Sequence, residues 1–206
     1  MLQGLCDRYQ RAHPGAKVLY MTGERFTNTF LEAFRHNRLS AFRSRMRKLD
    51  LLAIDDVHFI AGKQATRQEF LHSFEAMDLA GARIALASDS HPRAIEELGE
   101  AVVSRCMRGM VVQVYPPDAQ TRRNLVEAMA ACRGLVFRAG VGAAIAERAG
   151  GRSVRELEGA LARVQAVAEM EGVPGQPIGH TILNRALEAG AEPSRPTAVA
   201  FETILA

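Results

Sequence analysis

The chain has 206 residues, 48% of them hydrophobic and 24% charged, with a net charge of only +3. That balance is an ordinary soluble globular chain, with room for one large domain or a medium and a small one. It excludes a membrane span of roughly 18 apolar residues, and residues 1–12, with Asp7, Arg8 and Arg11, carry no apolar secretory segment. Cys6, Cys106 and Cys132 are odd in number, far apart and outside any CxxC pattern. They read as reduced thiols, and a cytoplasmic location is expected. The six histidines form no HxxxH or Cys/His cluster, so no structural or catalytic metal is expected from them.

Residues 2–12 read as a helix with Leu2, Leu5 and Tyr9 on one face, stopped at His13-Pro14-Gly15. Lys17–Thr22 is a short apolar strand. Phe26, Phe30 and Phe34, four apart, put three rings on one helical face and are assigned to the core. Arg35, Arg38, Arg43, Arg45, Arg47 and Lys48 follow with no acid among them. They form either a solvated helix face or a surface for nucleic-acid phosphates or an acidic neighbour. Asp50–Ile54 is a continuous apolar run, as in a strand covered on both faces. Phe70, Leu71, Phe74 and Met77 mark an amphipathic helix, Arg83–Ala87 a further buried strand, and Met110–Val114 a fourth.

Strands alternating with helices predict an α/β fold built on a parallel sheet. After Tyr115-Pro116-Pro117 only helical periodicity remains, through about residue 190, which predicts a separate small helical domain. The expected organisation is an α/β core over 1–116, a helical unit over 117–190, and a turn-rich linker over 191–206 leading into something that does not continue.

Ligands of open parallel sheets bind beyond the carboxyl ends of the strands. After Leu51–Ile54 come Asp55 and Asp56, adjacent carboxylates that repel each other and are costly to desolvate. A Walker-B role accounts for them: one holds Mg²⁺ through water and the next orients the water that attacks a nucleoside triphosphate. A capped turn opening the next helix is the alternative. Ser88 and Asp89 follow the next strand at the same edge, as a γ-phosphate sensor or as a helix N-cap. Ser153 and Glu156 have capping-box spacing, which puts Arg155 in the first turn of a helix. There it either completes an anion site or pairs with Glu156 or Glu158 on the surface. Arg105 precedes the fourth predicted strand and is read equally as an arginine finger toward a neighbouring subunit's nucleotide or as a surface charge.

Lys17–Arg25 (KVLYMTGER), Leu51–Lys63 (LLAIDDVHFIAGK), Glu69–Phe74 (EFLHSF), Pro116–Arg122 (PPDAQTR) and Arg155–Leu161 (RELEGAL) together resemble the DnaA family of AAA+ ATPases, in order and over nearly the whole chain. The resemblance implies an ATP-switched, DNA-binding initiator that oligomerises on origin DNA and opens the duplex. It makes Asp55 and Asp56 Walker B, Ser88 and Asp89 sensor 1, Arg105 the arginine finger and Arg155 sensor 2. Lys63 falls where the family places a basic residue facing single-stranded DNA inside its filament, and the helical region becomes the AAA+ lid. ATP or ADP with Mg²⁺ are the implied cofactors. The family's GxxxxGK[ST] loop has no counterpart in these residues, and neither does the duplex-reading helix-turn-helix domain. The resemblance therefore implies a sheet lacking its P-loop strand and little or no nucleotide bound by these residues alone. Near Arg105 the sequence departs further: the aromatic pair usual after the finger is replaced by Cys106 and Arg108. Two other readings remain, a related regulator or helicase loader without a DNA-binding domain, and a nucleotide-free interaction module.

Overall fold

The computed structural model describes residues 1–149, 153–172 and 175–188. The expected linker over 191–206 lies outside them. The chain divides into two units, Met1–Gln113 and Val114–Ala206, and each is described by itself.

The first unit is built on a three-stranded parallel sheet in the order β1 (Val18–Thr22), β2 (Leu51–Asp55), β3 (Arg83–Leu86). Its helices are α1 (Leu2–Ala12), α2 (Gly23–Arg35), α3 (Leu39–Met46), α4 (Gln64–Leu79) and α5 (Glu100–Arg108). Parallel strands need crossover connections, and α2–α3 and α4 supply them. β2 is central, and Leu51, Leu52, Ala53 and Ile54 are at most 2% exposed. Alternation sends Leu52 and Ile54 to one core with Met21, Phe26, Phe70 and Met77, and Leu51 and Ala53 to the other with Cys6. That two-sided burial explains why the strand is a continuous apolar run. Each fully buried Leu or Ile there contributes about 1.5–3 kcal/mol relative to exposure.

Three local expectations need correction. Met110–Val114 forms no strand; Met110 is 89% exposed and Val112 67%. A β-branched run fits a pleated surface, but a strand also needs a partner edge, and among the described residues none pairs with this segment. On α1 the buried face carries Cys6 between Leu2 and Tyr9, whereas Leu5 is exposed. Phe34 sits at the solvent-facing end of α2, and its core place is taken by Phe42 of α3. Phe42 and Phe70 both meet the Phe26 ring edge-on at 5.6 Å, a geometry worth about 0.5–1.5 kcal/mol beyond area alone.

The basic block also resolves in part. Arg43 donates from Nε and Nη2 to the carboxylate of Glu69 on α4, at 2.7–3.2 Å, and Glu69 is buried. This arginine is therefore a structural clamp between α3 and α4.

The second unit packs α6 (Ala119–Cys132), α7 (Val141–Arg148), α8 (Val154–Met170) and α9 (His180–Glu188) around Val126, Ile145, Leu157, Leu161, Val164 and Leu183. Asp118 caps α6 by accepting from the Thr121 amide at 2.7 Å. Arg122 ties α6 to α7 by donating to the Ala146 carbonyl at 3.1 Å. Ser153 caps α8, its hydroxyl accepting from the Glu156 amide at 3.3 Å, as the box spacing predicts.

Candidate functional site

The carboxyl edge of the sheet gathers Asp55, Asp56, Ser88 and Asp89. Asp55 ends β2, in register with Thr22 at the end of β1. Its Oδ2 accepts from the Tyr20 hydroxyl at 3.1 Å and its Oδ1 from the Asp56 amide at 3.1 Å. An ionised carboxylate has about four acceptor positions. Two remain on Asp55, which is only half-buried. Its donor set therefore fits a water on Mg²⁺, whose ligands are oxygens and retained waters. Among the described residues, no three Asp, Glu, His or Cys side chains are placed to hold a metal ion between them.

Asp56 takes left-handed backbone angles, φ 52° and ψ 51°, and begins a 3₁₀ turn over Val57–Ile60. Such angles are uncommon outside glycine, though Asp is among the residues that tolerate them. They are held from two sides. The Val57 amide donates to the Ala87 carbonyl at 3.0 Å, and the Phe59 amide to Asp56's own carbonyl at 3.0 Å. The first bond fastens the end of β2 to the residue just before Ser88. Ser88 Oγ donates to Asp89 Oδ1 at 3.3 Å, and the same carboxylate oxygen lies 3.6 Å from Nδ1 of His58. That nitrogen is buried without a hydrogen-bond partner.

Tyr20 and His58 belong to this cluster, and the residue-by-residue reading assigned neither a role. A phenol in an otherwise aliphatic strand was the available signal for Tyr20; its place beside Asp55 depends on strand pairing. Burial first, and then the bond to Asp55, raise the Tyr20 phenol above its ordinary value. A raised folded-state pKa contributes stability that is complete below the unfolded value and lost as pH rises through the folded one. Asp55→Asn should lower the Tyr20 pKa toward its ordinary value, read from the ring carbon shifts by NMR. An unmoved titration would remove the Tyr20–Asp55 bond from the site.

The other sequence-predicted residues lie elsewhere. Lys63 precedes α4, exposed, its Nζ donating to the Phe59 carbonyl at 3.3 Å. Arg105, on α5, is bound within its own unit: its guanidinium pairs with Glu75 and lies 3.9 Å from Asp78, both on α4. Arg155 belongs to the second unit, in the first turn of α8 and exposed. Burial pushes the Cys6 and Cys106 thiols up, which disfavours the thiolate that nucleophilic chemistry requires.

A parallel sheet of order β1-β2-β3 joined by helical crossovers is the α/β arrangement of an AAA+ domain. The particular family is equally definite: the bacterial DnaA ATPase domain profile matches residues 1–113, and the chain belongs to that family. The chromosomal replication initiator protein DnaA of Thermomicrobium roseum is 37% identical over 190 residues, covering 92% of this chain and 40% of that protein. Domain III of the Thermotoga maritima replication initiation protein DnaA superposes with a TM-score of 0.85 at 27% identity, over 93% of this chain and 79% of that one. A replication initiator DnaA bound to AMPPCP and single-stranded DNA matches with a TM-score of 0.73 at 27% identity, over 91% and 54%. The chain thus spans about two-fifths of the length of the curated relatives it matches.

Proposed function

We propose that this chain is the nucleotide-responsive core of a cytoplasmic replication initiator. The observation that carries the reading is the joined edge of β2 and β3, where Asp55, Asp56, Ser88 and Asp89 are fixed by the Val57–Ala87 bond. Asp55 would hold Mg²⁺ through water, and Asp56 would orient the attacking water. Mg²⁺, when bound, neutralises charge on the β- and γ-phosphates. Ser88 and Asp89 sense the γ-phosphate by hydrogen bonding, and Arg155, in the first turn of α8, is the sensor-2 cation that responds to its own subunit's nucleotide. Arg105, once released from Glu75 and Asp78, acts across a subunit interface in a filament of copies. Lys63 faces single-stranded DNA, a partner class supported by the similar replication initiator DnaA bound to single-stranded DNA, and duplex origin DNA is contacted outside these residues. The 206 residues contain no GxxxxGK[ST] segment, so few backbone amides are offered to the β- and γ-phosphates, and nucleotide is held weakly by these residues alone.

The test joins such a segment to the amino end and follows Mg²⁺-dependent ATP binding by calorimetry. Asp55→Asn should weaken the Mg²⁺-dependent part by about tenfold, or about 1.4 kcal/mol. Unchanged binding and hydrolysis would remove Asp55 from the site. Arg155→Ala should impair the nucleotide response even in a monomer. Arg105→Ala should leave monomer binding intact and abolish ATP-dependent assembly; weakened binding in dilute monomer would sink the finger assignment.

A further inference from the structure

Beside α4 lies an open pocket of about 710 Å³ that the nucleotide reading does not use. Arg67 of α4, Arg93 of the 3₁₀ turn Pro92–Ala94 and Arg108 at the end of α5 line it. Among the described residues, none of these three guanidiniums has a carboxylate within 4.0 Å, whereas Arg43, Arg105, Arg123 and Arg185 all do. The floor is aliphatic, with Leu98 buried and Val103 half-buried. Arg67 also fixes the wall: its guanidinium donates to the carbonyl of Glu97, a residue held at φ 57°. The Gly62 amide reaches the same carbonyl at 3.4 Å. The start of α4 and the loop before α5 are therefore strapped together.

The position of Arg67 gives the pocket its direction. Its amide donates to the Lys63 carbonyl at 2.9 Å, so the two residues stand one backbone turn apart at the start of α4. Lys63, Arg67 and then Arg93 and Arg108 form a basic track that leaves the start of α4 and enters the pocket. We propose that this track is a continuation of the single-strand site: the strand that Lys63 faces runs into the pocket, where Arg67, Arg93 and Arg108 take successive phosphates. The inference rests on the Lys63 reading above. Guanidiniums on three separate segments suit a repeating anion better than a single one, because each offers a planar fork to its own phosphate. The aliphatic floor takes a sugar or base face. Arg108 stands where the family resemblance places an aromatic residue, so the track is a property of this chain.

Glu97 and Glu100 also line the pocket. Glu100 occupies the first turn of α5, where the helix dipole favours its charge. A bound phosphate strand meets it as a like charge, and that gives the test a sign. Binding of a fluorescein-labelled oligothymidylate is followed by anisotropy across a salt series. Arg93→Ala/Arg108→Ala should weaken binding by about tenfold and flatten log Kd against log salt by about 1.4, at about 0.7 per single-strand phosphate contact. Arg93→Lys/Arg108→Lys should keep the slope, because charge is retained. Glu100→Gln should tighten binding by about threefold.

An alanine pair with unchanged affinity and slope overturns the proposal, even if Lys63→Ala weakens binding. A neutral Lys63→Ala beside a weakened alanine pair sinks the Lys63 reading and leaves the pocket as the contact. Polyglutamate competing as well as the oligonucleotide would make the pocket an acidic-peptide site instead. A wild-type chain that binds no oligothymidylate at low salt would end both.

Discussion

Arg43→Ala should destabilise the first unit by about 2–3 kcal/mol, far more than an ordinary surface arginine. Glu69 is 3% exposed and receives two guanidinium nitrogens of Arg43. Removing the arginine leaves a buried carboxylate without its partner, for which losses of about 3–5 kcal/mol are typical. The figure is reduced here because the Arg43 side chain is 45% exposed and water reaches part of the pair. The bond to Glu69 also raises the Arg43 pKa further, so the cation persists at any accessible pH. Replacing both residues by Met should recover most of the loss, since an apolar pair of similar volume leaves no charge to desolvate. Urea denaturation, read through amide exchange in α4, measures each variant. A single variant within about 0.5 kcal/mol of the parent would mean that Glu69 rehydrates by local motion.

That pair also marks where reading the sequence stops. The run from Arg35 to Lys48 contains no acid, so local charge patterning left it a solvated face or a phosphate surface. The partner of Arg43 lies 26 positions on, and only the packing of α3 on α4 brings it near. The three strands of the sheet were legible for the opposite reason. Burial on both faces writes itself into Leu51–Ile54 as an unbroken apolar run, whatever the partners are. Met110–Val114 carries a β-branched signal of its own and forms no strand, because propensity describes a side chain's fit to a sheet and not the presence of an edge to join. Asp55 and Asp56 were legible as candidates since two acids at the end of a buried strand have no packing rationale. Tyr20 and His58 were not, because their places depend on strand register and on the backbone turn at Asp56.

Gly23→Ala should cost about 1 kcal/mol net and should disturb Asp56 more than any change on the cluster's exposed side. Gly23 is buried at the first position of α2, directly after the Thr22 cap. A β-carbon there would stand 2.6 Å from the Asp56 carbonyl oxygen and 3.4 Å from Ile60 Cγ1. The first contact is with backbone, so no rotamer change relieves it. Moving that oxygen strains its bond from the Phe59 amide, which closes the 3₁₀ turn and holds Asp56 in its left-handed conformation. Overpacking of this kind costs about 1–3 kcal/mol, against which alanine recovers about 0.5–1 kcal/mol of helix propensity. The sign therefore depends on the clash, and a control isolates it. Gly4, inside α1, has nothing within 4 Å of its added β-carbon. Gly4→Ala should then stabilise the chain by about 0.5–1 kcal/mol through propensity alone. Opposite signs for the same substitution at the two positions, with amide exchange of Val57 and Phe59 accelerated only in Gly23→Ala, would tie the start of α2 to the geometry of the carboxylate pair. If Gly23→Ala were as stable as the parent and left those amides protected, α2 would have room to slide, and Asp56 would owe its conformation to the Val57–Ala87 bond alone.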